Sequence, residues 1–343
     1  MIFGIVYNSI EQGVLGDATT YPSTGNPYFF SPLSSGLLAL LAGLFLGSME
    51  VLFLNKRFRK SGFLSKIIYK TMIYMLLIAI ITLMISVLGH AIEMGISPLN
   101  QQVWDYGLKF LSSFAFWTVE IYMGMGISFC LFYTEISDNI GQGVLLNFFT
   151  GKYHKPIEEE RIFMFLDMKD STTIAEKLGH VKYFQMLSEY YADLTQAIID
   201  FGGEIYQYVG DEVVVTWKQQ KGIKNNNCLR CFFAMKDALH QQADKYESAY
   251  GLAPSFKAAL HLGLVTTGEI GVIKKDIIFS GDVLNTTARI QSLCNQYEVD
   301  LLTSEQMLDV LKLEPAFKSH AMGQATLKGR NEKVRLFTIE KAN

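Results

Sequence analysis

The chain has 343 residues, enough for two domains or one large one, and 50% of them are hydrophobic while 18% are charged. Its formal net charge is −3, so the charge balance predicts no nucleic-acid-binding surface. Apolar runs crowd the stretch 31–132, whereas the chain from Gly151 onward has the composition of an ordinary globular domain. Cys228 and Cys231 have metal-type spacing without a second pair of ligands, so we expect them to pack within a helix.

The N-terminal part predicts an all-α transmembrane domain. Crossing a bilayer takes about 20 residues, and three apolar segments are long enough, at 36–54, 67–89 and 108–132. Glu120 lies in the third segment, where a carboxylate is costly unless it faces a partner or a cavity. Two roles stay open for it, a hydrogen-bonded structural group and a sensing group.

Lys and Arg predict the orientation of these segments. Five of them lie at 56–66, between the first two segments, whereas 1–55 and the loop 90–107 contain none. Because basic residues mark cytoplasmic loops, the loop 56–66 and the chain after Phe132 are predicted to be cytoplasmic. We therefore expect an integral protein of the plasma (inner) membrane with a cytoplasmic C-terminal domain.

Four regions follow from these patterns. We expect an extracytoplasmic or interfacial segment at 1–34, which leaves open a further span before it, and a transmembrane domain at 35–133. A juxtamembrane helix and linker at 134–158 either tethers the next domain or transmits a signal to it, and we favour the second. A cytosolic domain occupies 159–343.

The cytosolic domain alternates strands and helices, which predicts helices packed against a mixed sheet. The predicted strands are 162–166, 204–209, 213–217, 256–262 and 277–280, a short strand begins at 299, and a final hairpin pairs 321–327 with 334–339. The predicted helices are 173–201, 227–250 and 283–297, with a short one ending near 311.

Two carboxylates lie at strand ends of this predicted sheet. Asp167 follows the apolar strand 162–166, and Asp211 lies in the tight turn between 204–209 and 213–217. Each alone is also explained by ordinary use, Asp167 as a helix cap and Asp211 as a turn residue. Brought together, they would repel each other unless a cation lay between them, and Mg²⁺ is commonly held by one or two carboxylates plus substrate phosphates. A pair of such ions could activate an attacking oxygen and neutralise a leaving phosphate.

A third motif lies on the predicted helix 283–297. Asn285 and Arg289 are four residues apart and so share one helix face. An amide and a guanidinium there suit a ribose and a phosphoryl group, although a solvated helix face would explain them equally.

Together these motifs resemble the class III nucleotidyl cyclases. The resemblance covers about 160–340 and rests on Phe-Leu-Asp167 followed by Ser-Thr, on Gly-Asp211, and on Gly-Asp-Val-Leu-Asn285 with Arg289. It implies an α+β, ferredoxin-like palm domain that works as a homodimer, with the active site at the interface. The implied reaction converts a nucleoside triphosphate into a cyclic nucleotide and pyrophosphate.

The resemblance also assigns roles within the site. By likeness to the family, Asp167 and Asp211 bind two divalent cations (Mg²⁺ or Mn²⁺), helped by the backbone carbonyl of Met168. By the same likeness, Ser171 and Thr172 surround the triphosphate, and Lys257 and Lys328 contact its terminal phosphates. Asn285 and Arg289 come from the other subunit, where they orient the ribose and stabilise the transition state.

The positions that select the base depart from the family pattern. Adenylate cyclases commonly carry Lys where this chain has Gln207, and Asp or Thr where it has Ile278, while the Glu and Cys of guanylate cyclases are absent. ATP is therefore favoured as substrate, with a guanylate or other-base cyclase as the alternative.

Two further alternatives are a diguanylate cyclase and a receptor that uses the fold only to dimerise and bind nucleotide. The first expects Gly-Gly before the acids and Phe after them, but Val209 and Val213 stand there. The second usually lacks a metal Asp or the Asn/Arg pair, and this chain carries both.

Overall fold

The computed structural model describes residues 32–58, 61–140, 144–273, 275–326 and 333–342. The chain divides into two compact units, the first ending at Ile140 and the second starting at Gly141, and each is described by itself. The segment 1–31, which holds most of the predicted N-terminal region, and Lys328 lie outside the described residues.

The first unit is helical where it is described. Helix α1 (Pro32–Met49) continues through a π-helical stretch, Glu50–Leu54, into α2 (Asn55–Phe58), and is followed by α3 (Phe63–Met94), α4 (Gln101–Leu111) and α5 (Phe114–Ile140). Among these described residues, two stretches are long and apolar enough to cross a membrane, Phe63–Ile92 and Phe116–Ser137.

These helices differ from the three predicted segments. The first segment holds a shorter apolar helix, Leu40–Leu54. The segment predicted at 108–132 is divided between α4 and α5, because the Ser113 hydroxyl accepts a hydrogen bond from the Phe116 N–H and so starts a new helix. The Glu120 side chain on α5 is buried, and its Oε1 has no hydrogen-bond partner in the described part of the chain. Both predicted roles for Glu120 therefore stay open.

The second unit opens with α6 (Val144–Thr150) and is then built from eight strands and their connecting helices. The strands are β1 (Ile157–Met168), β2 (Glu204–Val209), β3 (Glu212–Lys218), β4 (Phe256–Ile270), β5 (Asp276–Ser280), β6 (Leu301–Ser304), β7 (Phe317–Thr326) and β8 (Lys333–Lys341). The helices are α7 (Ser171–Leu178), α8 (His180–Asp200), α9 (Gln219–Ile223), α10 (Asn227–Gln241), α11 (Ala243–Tyr250), α12 (Asp282–Ser292) and α13 (Glu305–Val310).

The strands form one mixed sheet in the order β2-β3-β1-β4-β6-β8-β7, with β5 paired to β4. The β4–β6 pair is parallel and the other pairs are antiparallel. The sheet with its flanking helices is the predicted α+β palm domain, and that prediction is confirmed.

Alternation along β1 directs its side chains to two cores on opposite faces of the sheet. Ile162, Met164 and Leu166 join the large core that contains α8 and α10. Phe163 and Phe165 join a smaller core closed by α12. Because both faces are covered there, the part of β1 from Ile162 to Leu166 is buried and its sequence is a continuous apolar run.

Two predicted helices are broken. Gly179, with φ of +74°, separates α7 from α8, and the chain bends again at Gln242 between α10 and α11. The positive φ of Gly179 interrupts the first helix even though the apolar spacing continues across it, whereas Gln242 leaves the helical conformation with φ of −99° and ψ of 6°. In contrast, β4 extends to Ile270, well past its predicted end at residue 262.

Candidate active site

The end of β1 places the first predicted metal ligand. The strand from Ile162 to Leu166 is buried, and Asp167 follows it at the sheet edge. In the ladder Asp167 lies opposite Glu212 of β3 on one side and Lys257 of β4 on the other. The Lys257 Nζ is 3.3 Å from Asp167 Oδ2. The first carboxylate is therefore held between a second acid and an ammonium group.

The turn between β2 and β3 places the second predicted ligand. Gly210 has a φ of +63°, a left-handed conformation that glycine adopts without strain, and Asp211 follows it. Burial raises the pKa of the Asp211 carboxyl, a hydrogen bond with Ser171 lowers it, and the adjacent Asp167 raises it. The hairpin thus brings the two carboxylates together.

A buried oxygen of this pair indicates what could lie between the two acids. Asp211 Oδ2 is buried and has no hydrogen-bond partner within the described residues. No three His, Cys, Asp or Glu side chains converge into a metal site of their own anywhere in the described ranges. Mg²⁺ usually takes one or two carboxylates and completes its shell with phosphates and water, so the pair fits a cation that binds together with a nucleotide. The Met168 side chain is buried in the core, so only its backbone is available to the site.

Glu212 adds to the negative charge at this edge. Burial, and then the charges of Asp167 and Asp211, raise the pKa of the Glu212 carboxyl to about 7. The sequence predicts no role for Glu212, because an acid in a turn gives no sign of its burial. Three acids therefore neighbour one another at this edge, and burial together with their mutual repulsion raises the pKa values of Asp211 and Glu212.

Tyrosines of α8 support the same edge of the sheet, a role that the sequence did not predict for them. The Tyr191 hydroxyl donates a hydrogen bond of 2.6 Å to the Gly210 carbonyl, and its ring lies 4.5 Å from that of Tyr208. Burial, and then the charges of Asp211 and Asp167, raise the pKa of Tyr183, while a hydrogen bond with Ser171 lowers it. The spacing on α8 predicted Tyr191 only as an apolar position, and its polar contact depends on the placement of the turn.

The predicted triphosphate residues lie directly beside the carboxylates. Ser171 and Thr172 are the first two residues of α7, and Asp170 before them is left-handed, with φ of +55°. A helix start offers free backbone N–H groups to an anion. Lys257, predicted to contact the terminal phosphates, pairs with Asp167 and donates a 3.2 Å hydrogen bond to Asn295 Oδ1.

A cavity of about 360 Å³ adjoins this cluster. It is lined by Lys169, Asp170, Lys257, Cys294, Asn295, Glu298 and Val299. Its lining carries two ammonium groups, of Lys169 and Lys257, and two carboxylates, of Asp170 and Glu298, so the cavity is polar without a net charge of its own.

Asn285 and Arg289 lie on α12. This helix packs closely on the sheet, since a Cβ on Gly281 would lie 2.7 Å from the Leu264 carbonyl oxygen and one on Gly263 would lie 2.9 Å from Val283. Asn285 is exposed and Arg289 partly buried. Among the described residues, no hydrogen bond or ion pair joins either side chain to the carboxylate pair.

The two predicted base-selecting residues lie on different strands. Gln207 is exposed at an irregularity in β2, and Ile278 lies on β5 opposite Gly268. Their neighbours in sequence touch, because the rings of Tyr206 and Phe279 lie 4.8 Å apart. These two strands therefore approach each other, and Gln207 supplies the only polar side chain of the predicted pair.

The fold and the site together are those of a nucleotidyl cyclase catalytic domain. The mixed sheet carries the Asp167–Asp211 pair at one edge, and α12, which carries Asn285 and Arg289, packs on the sheet. Residues 153–341 match the family described as adenylate and guanylate cyclase catalytic domain, and the chain belongs to that family.

Individual relatives agree with this assignment. The chain is 33% identical over 209 residues to adenylate cyclase 2 of Rhizobium meliloti (strain 1021), covering 61% of this chain and 58% of that protein. It is 25% identical over 184 residues to an adenylate cyclase of Anabaena cylindrica, covering 52% of this chain and 36% of that one. The chain thus spans little more than half, or less, of the length of these relatives.

A solved structure supports the fold. The structure of a bacterial light-regulated adenylyl cyclase superimposes with a TM-score of 0.54 at 20% identity, over 65% of this chain and 64% of that one. At this identity the likeness concerns the fold alone.

Proposed function

We propose that the chain is a membrane-anchored nucleotidyl cyclase that converts ATP into cyclic AMP and pyrophosphate at a site shared by two copies. The observation that carries the proposal is the Asp167–Asp211 pair, with its buried and unpartnered Asp211 Oδ2, in a chain of the cyclase family. Similarity to two adenylate cyclases supports ATP as the substrate.

In this mechanism the chain positions the reacting groups of one nucleotide. Asp167 and Asp211 would hold two divalent cations, which when bound supply charge neutralisation and lower the pKa of the ribose hydroxyl. Ser171 and Thr172 at the start of α7 orient the triphosphate. Lys257 then exchanges its ion pair with Asp167 for the terminal phosphates.

Bond formation requires only positioning and electrostatics. The ribose 3′-hydroxyl gives up its proton to solvent water, its oxygen attacks the α-phosphorus in line to form one P–O bond, and the bond to pyrophosphate breaks, so that pyrophosphate leaves. Arg289 stabilises charge on the phosphoryl oxygens, and Asn285 orients the ribose.

A second copy of the chain would complete the site. Within one chain, no described contact joins Asn285 or Arg289 to the carboxylate pair. Several large apolar side chains of the second unit are also left exposed. They are Val181, Phe184, Tyr208, Val209 and Leu264. Two of them, Tyr208 and Val209, directly precede the turn that carries Asp211, so a partner covering them would meet the site.

The membrane anchoring is supported by two long apolar helical stretches, Phe63–Ile92 and Phe116–Ser137. The basic residues of 56–66 support a cytoplasmic second unit in the plasma (inner) membrane, where signals received by the first unit would set how two copies meet.

The test is to incubate the purified full chain with Mn²⁺ or Mg²⁺ and each of ATP, GTP, CTP and UTP, and to identify the products by chromatography and mass spectrometry. We expect cyclic AMP as the main product from wild type and none from Asp211→Asn, a variant of nearly equal shape. A linear product, or equal activity in Asp211→Asn, would refute the proposal. A cyclic product from another base would overturn only the choice of ATP.

A further inference from the structure

The β4–β5 hairpin ends in an exposed apolar tip. Val272 and Ile273 at the tip are 94% and 103% exposed, and Ile270 beside them is 53% exposed. Single exposed aliphatic residues are ordinary, but adjoining ones form a patch that soluble surfaces usually avoid.

This tip lies far from the carboxylate pair Asp167 and Asp211, although Ile278 of the same hairpin is only a few residues from the tip. β4 begins at Phe256, opposite Met168, and passes Thr267, opposite Ile157 at the start of β1. At about 3.4 Å per residue, Ile270 lies about 45 Å along the strand from Lys257. The tip therefore projects beyond the end of the sheet at which the chain enters the domain.

The helix that precedes the sheet contacts the same hairpin. The Lys275 Nζ lies 5.9 Å from the centre of the Phe148 ring on α6. Behind the tip, the Glu269 N–H donates a 3.0 Å hydrogen bond to the Tyr153 carbonyl. Helix α6 also exposes Leu146 and Phe149. One surface results, which we call the tip surface. It consists of Leu146, Phe148, Phe149, Ile270, Val272, Ile273 and Lys275.

We propose that the tip surface rests on an anionic lipid bilayer, with Val272 and Ile273 inserted among the headgroups. The proposal rests on the membrane anchoring proposed above. Helix α6 begins seven residues after Ser137, the end of the second apolar stretch, so a bilayer holding that stretch is within reach of α6.

Charge complements the apolar contacts. In the sequence, four lysines at 152, 155, 274 and 275 outnumber the two acids of this region, Glu269, which pairs with Lys275, and Asp276. Apolar side chains combined with basic ones are typical of interfacial anchors, and each Lys near an anionic leaflet strengthens the binding. A surface of this composition fits acidic headgroups, and it would hold the entry end of the domain at the membrane.

The test uses the full chain in vesicles and a fluorescent label at the tip. Cys130 is exposed and the other three cysteines are buried, so Cys130→Ser gives a background with no exposed thiol. Ile273→Cys is then labelled with an environment-sensitive dye, and quenching by spin-labelled lipids is measured with and without phosphatidylserine. The matched control is Ser248→Cys, an exposed site on α11.

We expect quenching at residue 273 at least about twofold stronger than at 248, and stronger again when phosphatidylserine is present. Equal quenching at both sites in incorporated protein would overturn this inference alone. Shielding of residue 273 that persists in detergent and grows with protein concentration would also overturn it, in favour of a second copy. Failure to incorporate into vesicles would overturn the membrane anchoring itself. None of these readouts depends on cyclase activity.

Discussion

Glu212→Gln is expected to stabilise the cation-free protein at alkaline pH. The Glu212 carboxyl has its pKa raised from 4.5 to about 7, by burial first and then by Asp167 and Asp211. That rise corresponds to at most about 3.4 kcal/mol. Because Glu212 is only partly buried, solvent screens the interaction, and we expect about 1 kcal/mol.

The direction in which Glu212 changes the stability with pH follows from the number of protons that each state binds. A folded-state pKa above the unfolded one means that the native state binds more protons between about pH 4.5 and 7. The contribution of Glu212 to stability is therefore complete below pH 4.5 and is lost as the pH rises through 7. Glutamine carries no charge, so the variant avoids this loss.

Thermal unfolding of the full chain with a chelator present measures the effect. For a unit of about 200 residues, 1 kcal/mol corresponds to about 3 °C in Tm. We expect Glu212→Gln to exceed wild type by about that amount at pH 8 and to match it at pH 5. Glu247→Gln, at an exposed position on α11, is the matched control and should change neither value.

Two results would refute this reasoning. One is an equal Tm for Glu212→Gln and wild type at pH 8, which would mean that neither burial nor the neighbouring acids penalise the charged form of Glu212. The other is a loss of stability in the variant at pH 8. Addition of Mn²⁺ provides a further check, because it should stabilise wild type more at pH 8 than at pH 5, where protons compete with the cation.

Two other substitutions test the parts of the site. Gly281→Ala should destabilise the protein by about 1–3 kcal/mol and lower activity, because the new Cβ would lie 2.7 Å from the Leu264 carbonyl oxygen and push α12 away. Gly268→Ala, whose new Cβ would have its closest contact at 3.4 Å, is the control. Equal Tm values for Gly281→Ala and wild type would contradict the close packing of α12. Gln207→Lys should raise the ATP-to-GTP ratio of kcat/KM about fivefold, since a charged donor adds about 1 kcal/mol to a hydrogen bond with the base. An unchanged ratio would show that residue 207 does not contact the base.

The strands around the site were predictable because their residues are apolar and bounded by turn signals. Glu204–Val209 was predicted without error, and the turn at Gly210 followed from its sequence. The end of β4 was not predicted correctly, because Gly263, Thr266 and Thr267 are not residues typical of a buried strand. Pairing with β1 and β5 carries β4 through them, and pairing is not visible in a single strand.

In the candidate site, too, residue types were predictable from the sequence, whereas contacts that depend on strand pairing were not. The type and order of Asp167 and Asp211 predicted a carboxylate pair, since both follow strands. The ion pair between Lys257 and Asp167 depends on the register of β1 with β4, which composition does not reveal. The roles of all the predicted site residues remain predictions. They are those of Asp167, Met168, Asp211, Ser171, Thr172, Gln207, Lys257, Ile278, Asn285, Arg289 and Lys328.

Mixing two inactive variants tests the central claim most directly. Asp211→Asn removes a carboxylate and Asn285→Ala removes the ribose contact, so each homodimer alone should form no cyclic nucleotide. If each site takes Asp211 from one copy and Asn285 from the other, half of the random dimers carry one intact site. Co-expression in equal amounts should then restore about a quarter of wild-type activity. No recovery in mixed dimers that are shown to form would contradict a site shared between two chains.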